Sequence, residues 1–554
     1  MSKGKAVAVP AVIAVLAVAS GGWFLQRDIG LGANLYVQTR LLEEVVNRIE
    51  DHFVDEIDVE ELYDDALESV VLSLGDPNSA LLQAPDWEDM QIRTRGEYGG
   101  VGLEVVQRDS FVTVVAPVPG TPGSRAGLRP GDRIVEVEGE SVVGRSTDQV
   151  AQILRGEPGT SVRMGVRRHG VERVIPYELT REVIQLSAVP FAVLLEGGVG
   201  YVPVEIFNGT TTLEVRAAVD SLVGEGMESL ILDLRRNRGG LLMEGVGLSD
   251  MFLDGGSSIV EVRGRNSPIE HYRAGVDQEY PGMPVVVLVG YGSASASEIV
   301  AGALQDHDRA LLIGAPTFGK GSVQSLFPVS GGRVLKLTTA RWFTPSGRSI
   351  QKDPPVAALR TEYDGVITFS GSLVQYPDLT DRPRFASAGG RVLHGGGGIV
   401  PDLWILPDTL TAEEDEAVRK LFGFGGHYVQ ARQSWAVRYL QEHPALEPGF
   451  VITDADLAYF HALLAERDVE MTLGELLQAR RTVEYDLGSE VALQAWEDRG
   501  RFERNAALDT QLRKAHELLL AARSPQDLFG LAGDPAGGPA RLGEGGGGRG
   551  PSPR

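Results

Sequence analysis

The chain has 554 residues, of which 43% are hydrophobic and 23% charged, so we expect several globular domains with sizeable cores. Acidic residues outnumber basic residues by 76 to 52, and the resulting net charge of −24 argues against nucleic acid as the main partner. The absence of cysteine excludes a disulfide scaffold, a thiolate nucleophile and cysteine-based metal sites.

The first 27 residues have the layout of an export signal. Lys3 and Lys5 precede an apolar run from Ala6 to Ala19, which ends in an A-x-A cleavage pattern. The run can also be read on to Leu25, about 20 residues, which is long enough to span a bilayer. We therefore expect an exported protein of the periplasm or cell envelope. The sequence leaves open whether residues 1–27 are a cleaved signal peptide or a membrane anchor.

Residues 28–95 are predicted to be helical, because Leu42, Val46 and Ile49 follow helical spacing and Asp58 is placed to cap a second helix. They show no catalytic pattern, which favours an accessory or dimerisation element.

Short β-branched runs, separated by glycine and proline and followed by one short helix, occupy residues 96–182. A glycine-rich turn that leads into a strand exposes N–H groups beside a sheet edge, where a peptide can add as a strand. The segment resembles a PDZ domain. By that resemblance Gly100, Val101, Gly102 and Leu103 form the loop that binds a peptide carboxylate, and the stretch SRAGLRPGD at 124–132 is typical of PDZ domains in bacterial proteases.

Residues 183–408 alternate apolar strand patterns with helical patterns, which predicts an α/β core with a largely parallel sheet. Residues 354–395 interrupt this alternation, and the sequence does not place them. Residues 409–530 return to helical patterns, and the glycine- and proline-rich end at 531–554 is predicted to be disordered.

Three segments of the core carry the chemistry, and each follows a predicted strand. They are DLRRNRGGL at 233–241, GYGSASASEI at 290–299 and APTFGKGSVQ at 315–324. Active sites gather at the carboxyl ends of strands in α/β sheets, where glycine turns and helix starts present backbone N–H groups. Taken singly, each segment could equally be a simple helix cap or a turn without function.

The second and third segments raise two alternatives. Gly314 to Lys320 spells the G-x-x-x-x-G-K of a phosphate loop, but Gly321 stands where such a loop needs a hydroxyl ligand for magnesium. A Ser–His–Asp triad would have to use His307 and Asp306. Adjacent helical residues point about 100° apart, so they cannot form a linear relay, and we expect His307 at the surface. No histidine pattern indicates a metal site, and no cofactor is implied.

Lysine is rare in this chain. Only seven of the 52 basic residues are lysine, and between Lys5 and Lys320 every cation is arginine. A lysine base must give up its proton to act, which arginine cannot do in a protein. A Ser–Lys pair is an established alternative to the serine triad.

Together these segments, with LTTARWFTPSGRSIQ at 337–351 and GGGGIVPDL at 395–403, resemble the carboxyl-terminal processing peptidases, tail-specific serine proteases. The resemblance implies that Ser295 is the nucleophile, Lys320 its general base and Gln324 the residue that orients the lysine. It also implies that the N–H groups of Gly240 and Ala296 form the oxyanion hole. The implied fold is a multi-domain α/β protein: a ClpP/crotonase-like core with a PDZ domain, an N-terminal helical region and a C-terminal helical extension.

The resulting hypothesis is a serine endopeptidase that recognises protein C-terminal tails through its PDZ domain and cleaves nearby bonds. Its partners would be protein or peptide substrates, with a homo-oligomer or an activating partner protein left open. The rival hypothesis is a binding protein whose protease core is inert.

Overall fold

The computed structural model describes residues 37–108, 110–168, 170–352, 366–368, 373–374, 379–405 and 408–533. The described chain forms two compact units. One contains the residues up to Trp87 together with Gln324–Thr338, and the other contains Glu88–Val323 and the chain from Thr339 onward. The signal or anchor predicted at 1–27, part of the segment 354–395 and residues 534–554 of the tail predicted to be disordered lie outside the described residues. Residues 531 and 532, which the sequence analysis assigned to that tail, instead end a helix. The predicted domain boundaries stay predictions.

The smaller unit contains two helices and a short strand. Helix α1 covers residues 37–52, α2 covers Val59–Leu72 and β1 covers Ala80–Leu82. The Asp58 carboxylate caps α2 by accepting the N–H groups of Glu60 and Glu61 at 2.9 and 3.3 Å. Strand β1 pairs antiparallel with the start of β18 (Val334–Phe343). The region interpreted as helical therefore also contains a strand.

The PDZ-like segment belongs to the larger unit. Its elements are α3 (Ala84–Arg95), β2 (Glu97–Gly100), β3 (Leu103–Arg108), β4 (Phe111–Pro117), α4 (Pro122–Arg125), β5 (Arg133–Val137), β6 (Glu140–Ser141), α5 (Thr147–Leu154), β7 (Ser161–Arg167), β8 (Ile175–Thr180) and β9 (Glu182–Gln185). The sheet has the order β3-β4-β5-β7-β8, with β6 on β5, so β3 is an edge strand. Pairing of β2 with β9, Glu97 opposite Gln185, brings the two ends of the segment together.

The α/β core contains β10 (Val193–Leu195), β11 (Val199–Pro203), α6 (Thr211–Gly224), β12 (Ser229–Asp233), α7 (Leu242–Asp250), β15 (Val285–Val289), α8 (Ala296–Asp306), β16 (Leu311–Gly314) and β23 (Leu403–Trp404). Its sheet has the order β10-β11-β12-β15-β16-β23, and only the β10–β11 pair is antiparallel. Every residue of β11, β12, β15 and β16 is buried, as expected for a parallel sheet covered on both faces. The predicted largely parallel sheet is confirmed.

Shorter strands complete the protease region. They are β13 (Ser258–Gly264), β14 (Glu270–Arg273), β17 (Ser322–Pro328), β19 (Val366–Ile367), β20 (Leu373–Val374), β21 (Arg384–Ala386) and β22 (Val392–His394). Strand β13 pairs with β14 and with the last residues of β18, Ala340–Phe343. The described parts of segment 354–395 form two small antiparallel pairs, β19 with β20 and β21 with β22.

The C-terminal region is helical: α9 (Ala412–Gly423), α10 (Gly426–Glu442), α11 (Asp454–Ala465), α12 (Leu473–Gln478), α13 (Arg480–Asn505), α14 (Thr510–Ala521) and α15 (Pro525–Ala532). Helices α9–α13 bury a core of their own around Trp435 and Phe460. Helices α14 and α15 instead pack Leu512, Leu518 and Leu528 against one face of the central sheet, whereas α6, α7 and α8 cover the other. Within the described ranges, no helix has the length and apolar character needed to cross a membrane.

Candidate active site

Ser295 stands between β15 and α8, at the start of the helix, where a positive dipole end faces it. Its φ is 55°, a left-handed conformation that a side chain adopts only at a cost. The neighbouring hydroxyls serve the backbone: Ser293 donates to the Leu234 carbonyl and Ser297 to the Asn237 carbonyl, both at 2.8 Å. Of the three serines in this motif, Ser295 is the one that is not fully buried.

The turn after β12 lies directly against the nucleophile loop. A Cβ added at Gly239, whose φ is +91°, would lie 2.8 Å from Ser295 Cβ and 2.5 Å from the Ala294 carbonyl oxygen. At Gly240 it would lie 2.0 Å from the Phe207 carbonyl oxygen. Because these obstacles include backbone atoms, both positions require glycine.

The two N–H groups predicted to form the oxyanion hole are available. Within the described part of the chain, neither the Gly240 N–H nor the Ala296 N–H has a hydrogen-bond acceptor. The Gly239 N–H, in contrast, donates to Asn237 Oδ1 at 2.8 Å. The Gly240 N–H is therefore open to an acceptor, and its assignment to an oxyanion hole stays a prediction.

Asn237 is a fully buried residue that the sequence interpretation missed. Its Nδ2 donates to the Val204 carbonyl at 2.9 Å, and its own carbonyl accepts the Ala294 N–H at 3.1 Å and the Ser297 hydroxyl at 2.8 Å. One residue thereby joins the oxyanion turn to the nucleophile loop. Its position in the motif gave no direct indication of these contacts.

Glu298 is the second missed residue and is also fully buried. Its Oε2 accepts the N–H groups of Ser295 and Lys320 at 2.8 and 2.9 Å, and its Oε1 accepts the Gly319 N–H at 2.7 Å and the Thr317 hydroxyl at 2.5 Å. Since one oxygen binds both N–H groups, the backbones of Ser295 and Lys320 lie side by side. The Ser-x-x-Glu spacing of a capping box could have indicated this residue.

Burial raises the pKa of Glu298 above its ordinary value of 4.5, while the hydrogen bonds from Thr317, Lys320, Gly319 and Ser295 oppose that rise. The carboxylate is thus held without a cation, by donors alone. Burying such a group costs free energy unless it is hydrogen-bonded, so the four hydrogen bonds are needed to stabilise Glu298 at this position.

Lys320 lies in the turn after β16 and is half-buried. Besides the bond from its N–H to Glu298, its carbonyl accepts the Trp342 indole N–H at 3.2 Å. Gln324 belongs to the smaller unit, where its Nε2 lies 3.4 Å from Thr338 Oγ1. Its assignment as the residue that orients Lys320 stays a prediction.

The geometry excludes the triad alternative. Asp306 forms a buried ion pair with Arg348 at 2.6 Å and accepts the Ser346 N–H at 2.8 Å. His307 is half-buried rather than at the surface, because its Nε2 lies 2.7 Å from the Ser258 carbonyl oxygen. Both side chains are therefore held by structural contacts. The described residues contain no group of side chains suited to bind a metal ion.

The glycine-rich loop of the PDZ-like segment leads straight into the edge strand β3. Gly102 has a φ of +70°, and its carbonyl accepts the Val118 N–H at 3.0 Å and the Thr121 hydroxyl at 3.1 Å. Val101 and Leu103 pack into the small core that also contains Val150 of α5. Gly100 to Leu103 thus lie at the end of a free strand edge, where an added peptide strand would finish.

Two regions of the chain match known protein families. Residues 198–357 match the model of peptidase family S41, and residues 113–168 match a model of the PDZ domain. The chain is 37% identical over 323 residues to the carboxy-terminal-processing protease of Bartonella bacilliformis, covering 57% of this chain and 74% of that protein. It is 33% identical over 325 residues to the carboxy-terminal processing protease CtpA of Bacillus subtilis, covering 58% and 69%.

Among solved structures, the photosystem II D1 C-terminal processing protease is 31% identical, covering 56% of this chain and 89% of that chain with a TM-score of 0.33. The protein is therefore a serine peptidase that carries a PDZ domain. More particularly, the chain belongs to the carboxy-terminal processing proteases of peptidase family S41. The helical residues 409–533 lie outside both matched ranges.

Proposed function

We propose that this protease cleaves peptide bonds with Ser295 as nucleophile and Lys320 as general base, on substrates whose C-terminal tails bind the loop Gly100–Leu103. The observation that carries the proposal is the shared acceptor Glu298 Oε2, which holds the Ser295 and Lys320 backbones together. The turn at Gly239 packs against Ser295 at the same site.

In this mechanism the neutral Lys320 amine takes the proton of Ser295 Oγ as the oxygen attacks the substrate carbonyl. The N–H groups of Gly240 and Ala296 stabilise the oxyanion, because neither has an acceptor among the described residues. Lys320 then protonates the leaving amine, which gives an acyl-enzyme, and it activates the water that hydrolyses the ester. Gln324 is proposed to orient the lysine.

The test is turnover of an internally quenched peptide that ends in an apolar C-terminal tail. We expect Ser295→Ala and Lys320→Arg each to lower kcat by several orders of magnitude, since arginine keeps the charge but cannot accept the proton. Lys514→Arg, on an exposed pair with Glu517, is the matched control and should act like the parent. Near-normal activity of Lys320→Arg would refute the lysine base, and an inactive parent would favour the inert binding protein.

We further propose that the protein acts outside the cytoplasm, in the periplasm or cell envelope. Lys3, Lys5 and the apolar run from Ala6 support this proposal. Cell fractionation and N-terminal sequencing of the mature protein test it. A start at Ser20 would indicate a cleaved signal peptide, an intact N-terminus in the membrane fraction an anchor, and full-length protein in the cytosol would contradict export.

A further inference from the structure

A cavity of about 860 Å³ lies at the carboxyl edge of the central sheet. One wall consists of the turns that follow β11, β12, β15 and β16, and the last three of these turns lead to the proposed catalytic residues Gly240, Ser295 and Lys320. The opposite wall comes from α13 and α14, and Arg382 from the segment the sequence left unplaced also contributes. Two regions outside the family motifs therefore enclose a space beside the catalytic turns.

The charges that line this cavity are unevenly matched. Six cations and four carboxylates contribute to it: Arg235, Arg236, Arg238, Lys352, Arg382 and Arg501, with Glu205, Asp233, Asp498 and Asp509. Arg235 pairs with Asp233 and Asp509 at 2.6 and 2.7 Å, Arg236 lies 3.7 Å from Glu205, and Arg501 pairs with Asp498 at 2.6 Å. All four carboxylates are thus engaged, and the lining keeps a positive excess in a chain whose net charge is −24.

Arg238 and Lys352 account for most of that excess. Both side chains are exposed to the cavity region, and within the described residues neither has a carboxylate within ion-pair distance. An excess of cations in this lining attracts anionic ligands, because a cleft with an excess of one sign of charge raises the local concentration of the opposite sign.

Both cations lie next to the proposed reacting groups. Arg238 directly precedes Gly239, whose added Cβ would lie 2.8 Å from Ser295 Cβ. The Lys352 N–H donates to the Gly319 carbonyl at 2.9 Å, and Gly319 precedes Lys320. A residue spans about 3.5 Å of extended chain, so side chains close to the scissile bond of a bound substrate can reach either cation.

An exposed aromatic pair lies beside the cavity. Tyr291 of the nucleophile loop lines the cavity and packs on Phe318 of the lysine loop, with ring centroids 5.3 Å apart. Their exposed fractions are 57% and 41%, high for large aromatic residues. This aromatic pair and the two cations together suit a polypeptide that carries a carboxylate next to an apolar residue.

We propose that this basic cavity is a substrate subsite, in which Arg238 and Lys352 bind a carboxylate of the polypeptide close to the scissile bond. The proposal rests on the proposed function and adds the substrate class: chains with an Asp or Glu near the cleaved bond, or a tail whose terminal carboxylate reaches the cavity. It also gives the C-terminal helices a role, because α13 and α14 form the wall that encloses the subsite.

The experiment uses the full-length enzyme and internally quenched peptides that share one apolar tail. Glu is moved through the four positions on each side of the scissile bond, and every Glu peptide has a Gln twin. At one or two positions we expect kcat/KM to be roughly 5- to 10-fold higher for Glu than for Gln at low salt, as two partly exposed charge pairs would give. The ratio should fall towards 1 at high salt.

Arg238→Gln and Lys352→Gln should each lower the Glu/Gln ratio, and the double variant should bring it to about 1. Arg238→Glu should have a higher kcat/KM for peptides in which Lys replaces the Glu. A merely structural role of Arg238 would not produce this reversal. Arg265→Gln removes an exposed cation that lies outside the cavity and has no ion pair with any described residue, so it should retain the parent ratio. A second set of peptides has an amidated C-terminus. If amidation lowers kcat/KM in the parent but not in Arg238→Gln, whereas replacing Glu by Gln changes neither, the ligand is the terminal carboxylate.

The proposal would be overturned if the parent enzyme preferred neither peptides with Glu near the cleaved bond nor peptides with a free terminal carboxylate. It would also be overturned if the double variant kept the preference of the parent. Its failure is separable from failure of the proposed function. Cleavage of the Gln peptides that disappears in Ser295→Ala would uphold the proposed nucleophile even when the Glu/Gln ratio is 1.

Discussion

Two glycine-rich turns of this protein, at Gly239–Gly240 and at Gly100–Gly102, are proposed to present backbone N–H groups to a ligand, and they are held in different ways. In the oxyanion turn, added side chains at Gly239 and Gly240 would meet the carbonyl oxygens of Ala294 and Phe207 at 2.5 and 2.0 Å. In the PDZ loop, the nearest atoms to an added Cβ are side chains, Tyr98 for Gly100 and Thr121 for Gly102. The Tyr98 ring beside Gly100 can rotate, whereas backbone atoms, and the Thr121 Cβ at 2.4 Å from the Gly102 position, cannot move aside cheaply.

The residues that hold the two turns in place also differ. Asn237 and Glu298, both fully buried, bind the catalytic turns to one another. The PDZ loop is held mainly by Val118 and Thr121. Catalysis needs donors fixed where charge develops, while peptide binding tolerates adjustment. If the proposed roles hold, the turn at Gly239 and Gly240 should tolerate substitution less than the PDZ loop does at Gly100.

The largest expected effect is that of Gly240→Ala. The new methyl would displace the Phe207 backbone and move the Gly240 N–H, so we expect kcat to fall at least 100- to 1,000-fold with little change in KM. Gly256→Ala is the control for positive φ, at +86° with open space around it. Kinetics are paired with thermal unfolding. Equal kcat in both variants would show that the Gly240 N–H is not part of the oxyanion hole.

Glu298→Gln should have the next largest effect on activity. The amide keeps the shape, but its NH2 group would face N–H donors that the carboxylate accepts, so we expect kcat to fall about 10- to 100-fold. Gln149→Glu, at an exposed helix start, is a control exchange of the same two residues and should leave kcat unchanged. A fully active Glu298→Gln would show that the shared carboxylate does not position the catalytic groups.

Glu298 also predicts a pH dependence of stability. Because burial raises its pKa above 4.5, the folded state holds its proton to a higher pH than the unfolded state does. The free energy of unfolding of the parent should therefore fall relative to that of Glu298→Gln as the pH rises from 4.5 through the raised pKa, and stay constant above it. Urea unfolding of both proteins across this range measures the difference. A difference that moves in the opposite direction would contradict a raised pKa.

Gly102→Asp tests the PDZ loop. The Cβ would lie 2.4 Å from Thr121 at a φ of +70°, and the added charge would repel a peptide carboxylate, so we expect KM for tailed peptides to rise about 10-fold. Gly139→Asp, at a φ of +82° with free space, controls for backbone strain. Unchanged tail affinity would remove this loop as the binding site. Hydrolysis of a small ester, measured with rising tail peptide, shows whether an occupied PDZ domain also activates Ser295.

Gly100→Ala should have the smallest effect. Its methyl would lie 2.7 Å from the edge of the Tyr98 ring, which can rotate, so we expect less than a threefold change in KM. Gly239→Ala makes the same exchange against backbone and should lose most activity. Similar losses of activity in the two variants would show that the two turns do not differ in rigidity.

Local patterns predicted a large part of this protein. The alternation of strand and helix patterns indicated the parallel sheet, and the three motifs at its strand ends indicated the positions of Ser295, Lys320 and Gly240. These features depend on neighbours within a few residues, since periodicity and turn chemistry are local properties. The PDZ-like segment could be recognised for the same reason.

Only the tertiary structure showed which distant residues support these groups. Three of the four bonds of Glu298 reach residues 19 to 22 positions away, and Asn237 meets Val204 and Ser297 across 33 and 60 positions. The basic cavity combines Arg238, Lys352 and helices α13 and α14, more than 240 residues beyond the first of them. Such contacts follow from how packed elements meet, and no local pattern encodes which charged side chains will be left without a partner there.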